Sequence, residues 1–279
     1  MEPALLNDRA IIAISGPQAR DFLQGLVTND ILHGLAPGMG LYTALLAPQG
    51  KILFDFFVTE GDGALLLDVA FVSCEALLKK LKLYKLRAQL EIQARPQLGI
   101  YINLKGHPRN RPTSYADRAV SFVDPRLPAL GVRSIGARAE MPAHIAAGDS
   151  YLRTRLDLGV PEAGDFGIEK IFALDAGLAE LHGVSFTKGC YIGQELTSRM
   201  KHRGSARKRI LTITADTSLP PPGTTLRGSE QDLGEILSTY GTRGFGLVRL
   251  DRLDENKGDI LAGDQPVVLH KPAWLFEHS

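Results

Sequence analysis

The sequence predicts an α+β fold built on antiparallel sheets, with a small β-barrel at its C-terminal end. Three observations carry that expectation. Strand-like runs at 40–46, 51–58 and 64–70 are separated by Pro48-Gln49-Gly50 and Gly61-Asp62-Gly63, turns with hairpin chemistry, so the three read as a meander. Apolar residues at helical spacing are confined to a few stretches between such runs. Around Pro220-Pro221-Pro222-Gly223, short strand-like runs follow one another closely, which is the pattern of a barrel.

Residues 11–14 read as a short buried strand. Ser15 then offers a helix cap, with Gln18 three residues on and Pro17 in the first turn. The helix it opens carries Ala19, Phe22, Leu23, Leu26 and Val27 at helical spacing. After the meander a second helix is expected from Ser73, with Leu77, Leu78, Leu81 and Lys85 along it. Its Lys79, Lys80 and Lys82 read as a solvated face. Residues 89–93 and 98–104 are candidate strands, and 105–114, rich in Pro, Arg and Gly, a loop. Residues 150–158 read as a helix closed by Gly159, with Pro161 beyond it. Barrel strands are expected at 209–215, 235–239, 246–250 and 266–270.

The bulk numbers exclude several classes. The chain has 279 residues, is 44% hydrophobic and 23% charged, and carries a formal net charge of +1. That is an ordinary globular composition with ample core. It argues against bulk electrostatic attraction to nucleic acid or to a membrane. Two cysteines, Cys74 and Cys190, cannot form a disulfide framework. Nor can they hold an iron–sulfur cluster, which takes about four thiolates. The first residues carry neither a cationic flank nor an Arg-rich character, so the expectation is a cytoplasmic protein. No stretch approaches a membrane-spanning helix.

The chemistry concentrates in residues 181–209. Val184-Ser185-Phe186 reads as a strand end and Thr187-Lys188-Gly189-Cys190 as a turn. A helix is expected from near Gly193 to about His202, with Ile192, Leu196 and Met200 as its buried stripe. Glu195 and Arg199 stand at i, i+4 in the favourable order. Cys190 is thus expected close to a helix N-terminus and beside Lys188, both of which favour a thiolate. An inert, buried small residue is the other reading of Cys190, and both stay open on physics alone.

Lys188-Gly189-Cys190-Tyr191-Ile192-Gly193-Gln194-Glu195 resembles the signature of the YgfZ family, relatives of the glycine-cleavage T-protein that act in iron–sulfur assembly. The match is continuous and continues into Arg199 and His202-Arg203-Gly204. Weaker resemblance lies at residues 22–30, 50–55 and 246–250. The resemblance implies a GcvT/YgfZ-like multi-lobed fold, with a folate-binding α+β region over 1–205, made of two intertwined lobes, and a C-terminal barrel over 206–279. It implies a central hole that takes tetrahydrofolate or a one-carbon derivative, and partners that are iron–sulfur assembly proteins or cluster-receiving enzymes. By it, Cys190 is the functional thiol, and Asp175, Lys188, Tyr191, Gln194 and Arg199 hold the folate. Leu174-Asp175-Ala176-Gly177-Leu178 resembles the T-protein segment whose glutamate binds the pterin ring. Asp175 here is one bond shorter, and an exposed aspartate is its other reading.

One departure bears on catalysis. T-proteins carry two successive aspartates where this chain has Phe54-Asp55, and they lack the cysteine. Asp55 stands as a catalytic candidate and equally as a structural acid. Three functions therefore compete: a folate-binding accessory protein for iron–sulfur assembly, a folate-dependent one-carbon transferase, and an RNA-binding or tRNA-modification module. The last would use the basic run Arg199, Lys201, His202, Arg203, Arg207, Lys208 and Arg209, which lacks the interleaved aromatics that stack bases. The same run also reads as a solvated helix end or as a seat for the folate's glutamate tail. The seven histidines show no metal-ligand spacing.

Overall fold

A computed structural model describes residues 4–105, 120–140, 146–204 and 207–275. The first sheet has five strands: β2 (Arg9–Ser15), β3 (Gly40–Leu46), β4 (Ile52–Gly61), β5 (Ala64–Ala70) and β6 (Glu91–Ala94). They lie in the order β3-β4-β5-β2-β6, all antiparallel, with β3-β4-β5 as the expected meander. Helices α1 (Ala19–Gln24) and α2 (Phe71–Lys85) cover one face of this sheet. A second sheet joins β1 (Ala4–Leu6), β7 (Leu98–Asn103), β8 (Val120–Val123) and β9 (Val132–Ala137) in the order β1-β7-β9-β8. The short helices α3 (Ala146–Leu158) and α4 (Ala163–Phe166) follow, and α5 (Gln194–Arg203) precedes the C-terminal region.

That region is a closed six-stranded barrel. Its strands are β10 (Lys208–Thr214), β11 (Thr225–Arg227), β12 (Asp232–Tyr240), β13 (Arg243–Arg249), β14 (Ile260–Ala262) and β15 (Gln265–His270), with α6 (Leu250–Glu255) between β13 and β14. The α+β class with antiparallel sheets and a terminal barrel is therefore present as the turn chemistry and strand spacing predict. No described helix is long and apolar enough to cross a membrane.

The pleat of β4 divides the core in two. Phe54, Phe56 and Val58 point into a cluster under α1 and α2, with Val69, Leu77 and Leu81. Ile52 and Phe57 point the other way, into a larger cluster shared by both sheets, the segment 171–181 and the barrel. Alternation thus sends Phe54 and Asp55 to opposite layers.

Several local expectations are corrected. The first helix stops at Gln24, short of Val27, and begins after Gln18 with no side-chain cap. Gln18 Oε1 instead accepts from the backbone N–H of Gln89 at 2.5 Å, a tertiary partner that competes with local capping. Helix α2 starts at Phe71 rather than Ser73, and α3 at Ala146 rather than 150. Strands β1, β8, β9, β11 and β14 were not anticipated, because three to six residues leave little pattern to read. Residues 184–186 form no strand. On α5 the buried residue is Thr197, while Ile192, Leu196 and Met200 are half-buried. The loop expected at 105–114 lies outside the described residues beyond 105.

Candidate functional site

Residues 22–30 and 182–195 are distant in sequence but form one unit. The Lys188 ammonium donates to the carbonyls of Gln24 at 2.6 Å, Val27 at 2.6 Å and Asn29 at 2.9 Å. Burial lowers its pKa to about 8, with Asp30 opposing, so it is charged at neutral pH and all three N–H groups donate. The Thr28 hydroxyl donates to the Gly183 carbonyl at 2.6 Å. The Asn29 amide donates to the carbonyls of His182 at 2.7 Å and Tyr42 at 2.8 Å. The two stretches that resemble one family are therefore halves of a single clamp.

On this clamped backbone Cys190 is exposed. At Gly189 an added Cβ would meet nothing within 4 Å, so the turn stands open on that side. Gly193 is the opposite case. Its φ of +81° and the Ala47 carbonyl oxygen, 2.6 Å from where a Cβ would be, leave room only for glycine. This seats the turn on the β3–β4 hairpin. Gly193 is also the residue that caps α5, so Cys190 stands ahead of the helix rather than on its first turn.

The residues expected to hold a folate have different surroundings. Lys188 is corrected from ligand-binding to positioning, since its three donors are engaged by backbone carbonyls. Tyr191 is buried, its phenol pushed up to about 12 by desolvation. Gln194 opens α5 and is half-buried. Arg199 pairs with Glu195 at 2.8 Å on the exposed side of α5, as the i, i+4 spacing predicts. The basic run is dispersed: Lys201 lies over the Phe186 ring, and Arg209 pairs with Glu180 at 3.5 Å.

Asp175 is buried, not the exposed aspartate of the competing reading, and sits against the barrel, where its backbone carbonyl accepts from Ile210 N–H at 3.3 Å. Burial raises its carboxyl to about 6, with Arg209 and Lys208 pulling the other way. Asp55 is deeper. Tyr42 donates to its Oδ2 at 2.9 Å, and its Oδ1 is buried with no hydrogen-bond partner among the described residues. Burial raises this carboxyl, and Arg9 opposes. The Asp175 carboxylate and the unpaired Asp55 oxygen are hydrogen-bond acceptors, the kind of atom that the amino and ring N–H groups of a pterin require.

A third feature was not anticipated. Where the two sheets, α3, α4 and the barrel meet, charged side chains are buried together. Arg9 bonds Asp68 at 2.6 Å, and Arg133 reaches the other Asp68 oxygen at 3.0 Å. Arg126 pairs with Asp124 at 2.8 Å and with Glu162 at 2.9 Å. Arg155 pairs with Asp165 at 2.6 Å, and Asp165 accepts from Ser238 and Tyr240 of the barrel. The Tyr151 hydroxyl receives Arg126 and Arg133 and donates to Glu162. Burial would raise Glu162, but Arg126, Arg155, Arg9 and Arg133 hold it well below the carboxylate range. Arg133 and Arg126 stack on Phe57 at 4.0 and 4.7 Å from the ring centre. The available signal was an arginine or aspartate inside an apolar strand, as at Arg9, Asp68 and Arg133.

Comparison with known proteins gives the same architecture and a family. Residues 207–277 match the family of the CAF17 C-terminal beta-barrel domain. The chain superposes on the crystal structure of glycine cleavage system aminomethyltransferase T from Bartonella henselae with a TM-score of 0.73, covering 98% of this chain and 86% of that one. At 17% identity that likeness shows the fold alone. The chain is 31% identical to the mitochondrial iron–sulfur cluster assembly factor IBA57 of Mus musculus, over 89% of this chain and 77% of that protein. It is 32% identical to the Homo sapiens protein of the same name, with the same shares. The Neurospora crassa homologue is 33% identical, and there the match covers 74% of this chain and 52% of the longer protein.

Two expectations change. The relatives are named as mitochondrial, which overturns the cytoplasmic expectation. That expectation rested on the composition of the first residues alone. The resemblance to YgfZ proteins pointed to the bacterial counterpart of the family these relatives name. With that identity over most of both chains, and the T-protein fold throughout, this chain belongs to the IBA57 family of iron–sulfur cluster assembly factors.

Proposed function

We propose that the chain assists iron–sulfur cluster assembly through Cys190, with a tetrahydrofolate or one-carbon derivative bound at Asp175. The observation that carries the thiol reading is an exposed cysteine on a turn fixed by Lys188 and left open at Gly189. Cys190 gives up its thiol proton to solvent, and the thiolate takes one coordination position on a cluster iron. The remaining ligands come from the assembly protein or receiving enzyme that holds the cluster, because Cys74, half-buried and raised by desolvation, leaves this chain too few thiolates. Release is the reverse exchange, with the partner's thiolate replacing that of Cys190.

The folate reading is supported by the fold, by the desolvated Asp175 carboxyl and by the unsatisfied Asp55 oxygen. When bound, tetrahydrofolate supplies a one-carbon carrier. Asp175 accepts from the pterin, and the apolar surroundings that raise its pKa strengthen those bonds.

Two measurements test the halves separately. A Cys190→Ser protein should fail to support cluster-dependent enzymes in cells depleted of the natural protein, and full support by it rules out the thiol mechanism. Calorimetric titration of tetrahydrofolate should show binding that Asp175→Ala weakens about tenfold or more, about 1.4 kcal/mol. Absence of binding to the unaltered protein removes the folate and leaves the thiol reading standing.

A further inference from the structure

Helix α2 has an apolar stripe on the side away from the sheet. Its inner face is satisfied: Ser73, Leu77 and Leu81 are buried, and Cys74, Leu78 and Tyr84 pack on the cluster beneath. On the outer face Val72 is 86% exposed, Leu83 67% and Leu86, just past the helix, 86%. With Ala76 and Lys79, which are also exposed, these residues follow one another at steps of four, three, four and three. That is the spacing of a heptad seam, with Phe71, 63% exposed, beside its start. The flanks are basic: Lys80, Lys82, Lys85 and Arg87, with Lys79 in the seam itself and Glu75 as the helix's one acid. None of these five cations forms an ion pair among the described residues.

Leu86 adds an independent observation. Its backbone is held at φ 46°, ψ −110°, a region that favours glycine. A large apolar side chain there gains nothing from the fold, because it projects into solvent. Packing within this chain therefore does not account for leucine at 86, nor for Val72 and Leu83.

We infer that the outer face of α2 is a docking surface for an amphipathic helix of a partner protein, one with an apolar heptad seam and acidic flanks. Charge decides against a second copy of this chain, since two such helices would bring like charges together. A lipid surface fits less well, because Lys79 interrupts the line and the acid Glu75 stands on the same exposed side.

The probe is a fluorescent synthetic peptide of about four heptads, with leucine along the seam and glutamate on both flanks. It should bind the full chain and weaken as salt rises from about 50 to about 500 mM. Leu83→Glu and Leu86→Glu, exposed positions whose variants should keep the far-ultraviolet circular dichroism of the parent, should each weaken binding about tenfold or more. An otherwise identical peptide with lysine flanks should not bind. Failure of the acidic peptide to bind, or binding by both leucine variants as tight as by the unaltered protein, overturns the inference. Two further outcomes also overturn it: binding to phosphatidylglycerol vesicles that Leu83→Glu abolishes, which assigns the face to a membrane, and a dimer that Leu83→Glu dissociates, which assigns it to self-association.

Discussion

Around Tyr151 the chain buries four guanidiniums among four carboxylates, whereas at Cys190 it leaves a thiol in solvent on a turn whose backbone is tied from below. Both regions depend on a buried cation, and they use it differently. In the centre, Arg9, Arg126, Arg133 and Arg155 bind carboxylates from other elements, so the sheets, α3, α4 and the barrel are joined through charge. At the turn, the Lys188 ammonium is covered by three backbone carbonyls and its neighbour Cys190 is left free to meet another molecule. Desolvation explains the division. A buried charge is stable only with partners close by, and in the centre those partners come from other elements of the fold. A reactive group needs access, so its position is secured by residues beside it.

The comparison breaks first at Arg126. Arg126→Met leaves Asp124 and Glu162 buried without their main partner and should cost about 3–5 kcal/mol, read as a lower urea midpoint. A loss below about 1 kcal/mol would mean that the network is not what joins the lobes. Lys188→Met should cost about 2–3 kcal/mol by stranding the carbonyls of Gln24, Val27 and Asn29. Hydrogen exchange should quicken through residues 24–29, and Lys188→Arg should not restore it, because a planar guanidinium cannot cap three converging carbonyls.

Asp175 sharpens the comparison through pH. Its folded pKa of about 6 lies above the ordinary carboxylate value, so the folded state holds a proton that the unfolded chain has released. Stability therefore falls as pH rises through the window from about 4 to about 6. Asp175→Asn should stabilise the protein by about 1–2 kcal/mol at pH 7, and the gain should vanish below about pH 4. Tetrahydrofolate affinity should fall as pH drops below about 6, since an ionised carboxylate is the better acceptor. The smallest effect belongs to the thiol itself. Cys190→Ser should change stability by no more than about 0.5 kcal/mol, because the side chain is exposed, while cluster support in cells is lost.

Parts of the fold and of the site were legible for a common reason. The meander, four of the six barrel strands (β10, β12, β13 and β15) and the helix that opens at Gln194 are written in short-range chemistry: turn residues, alternation and glycines at the places a turn needs them. The Lys188–Glu195 motif was legible as a motif, and of the two readings of Cys190 the buried one is excluded by its exposure. Lys188, by contrast, was assigned to a ligand because its partners lie more than 150 residues away, on a segment whose carbonyls carry no sequence signature. Phe54 and Asp55 stand where T-proteins carry two successive aspartates, and only the pleat shows that their side chains go to opposite layers.

By itself the sequence determined the class of the fold, the places where the chain turns, and the one exposed thiol's setting between two glycines. Only the tertiary structure decided which charges are structural. Arg9, Asp68, Asp124 with Arg126, Arg133 and Glu162 come from five separate points of the chain, and a charge inside an apolar run, as at Arg9, Asp68 and Arg133, does not name its partner. They become a network only once apolar burial has closed the space around them, because the Coulombic attraction that pairs them is weak in water and strong where water is excluded.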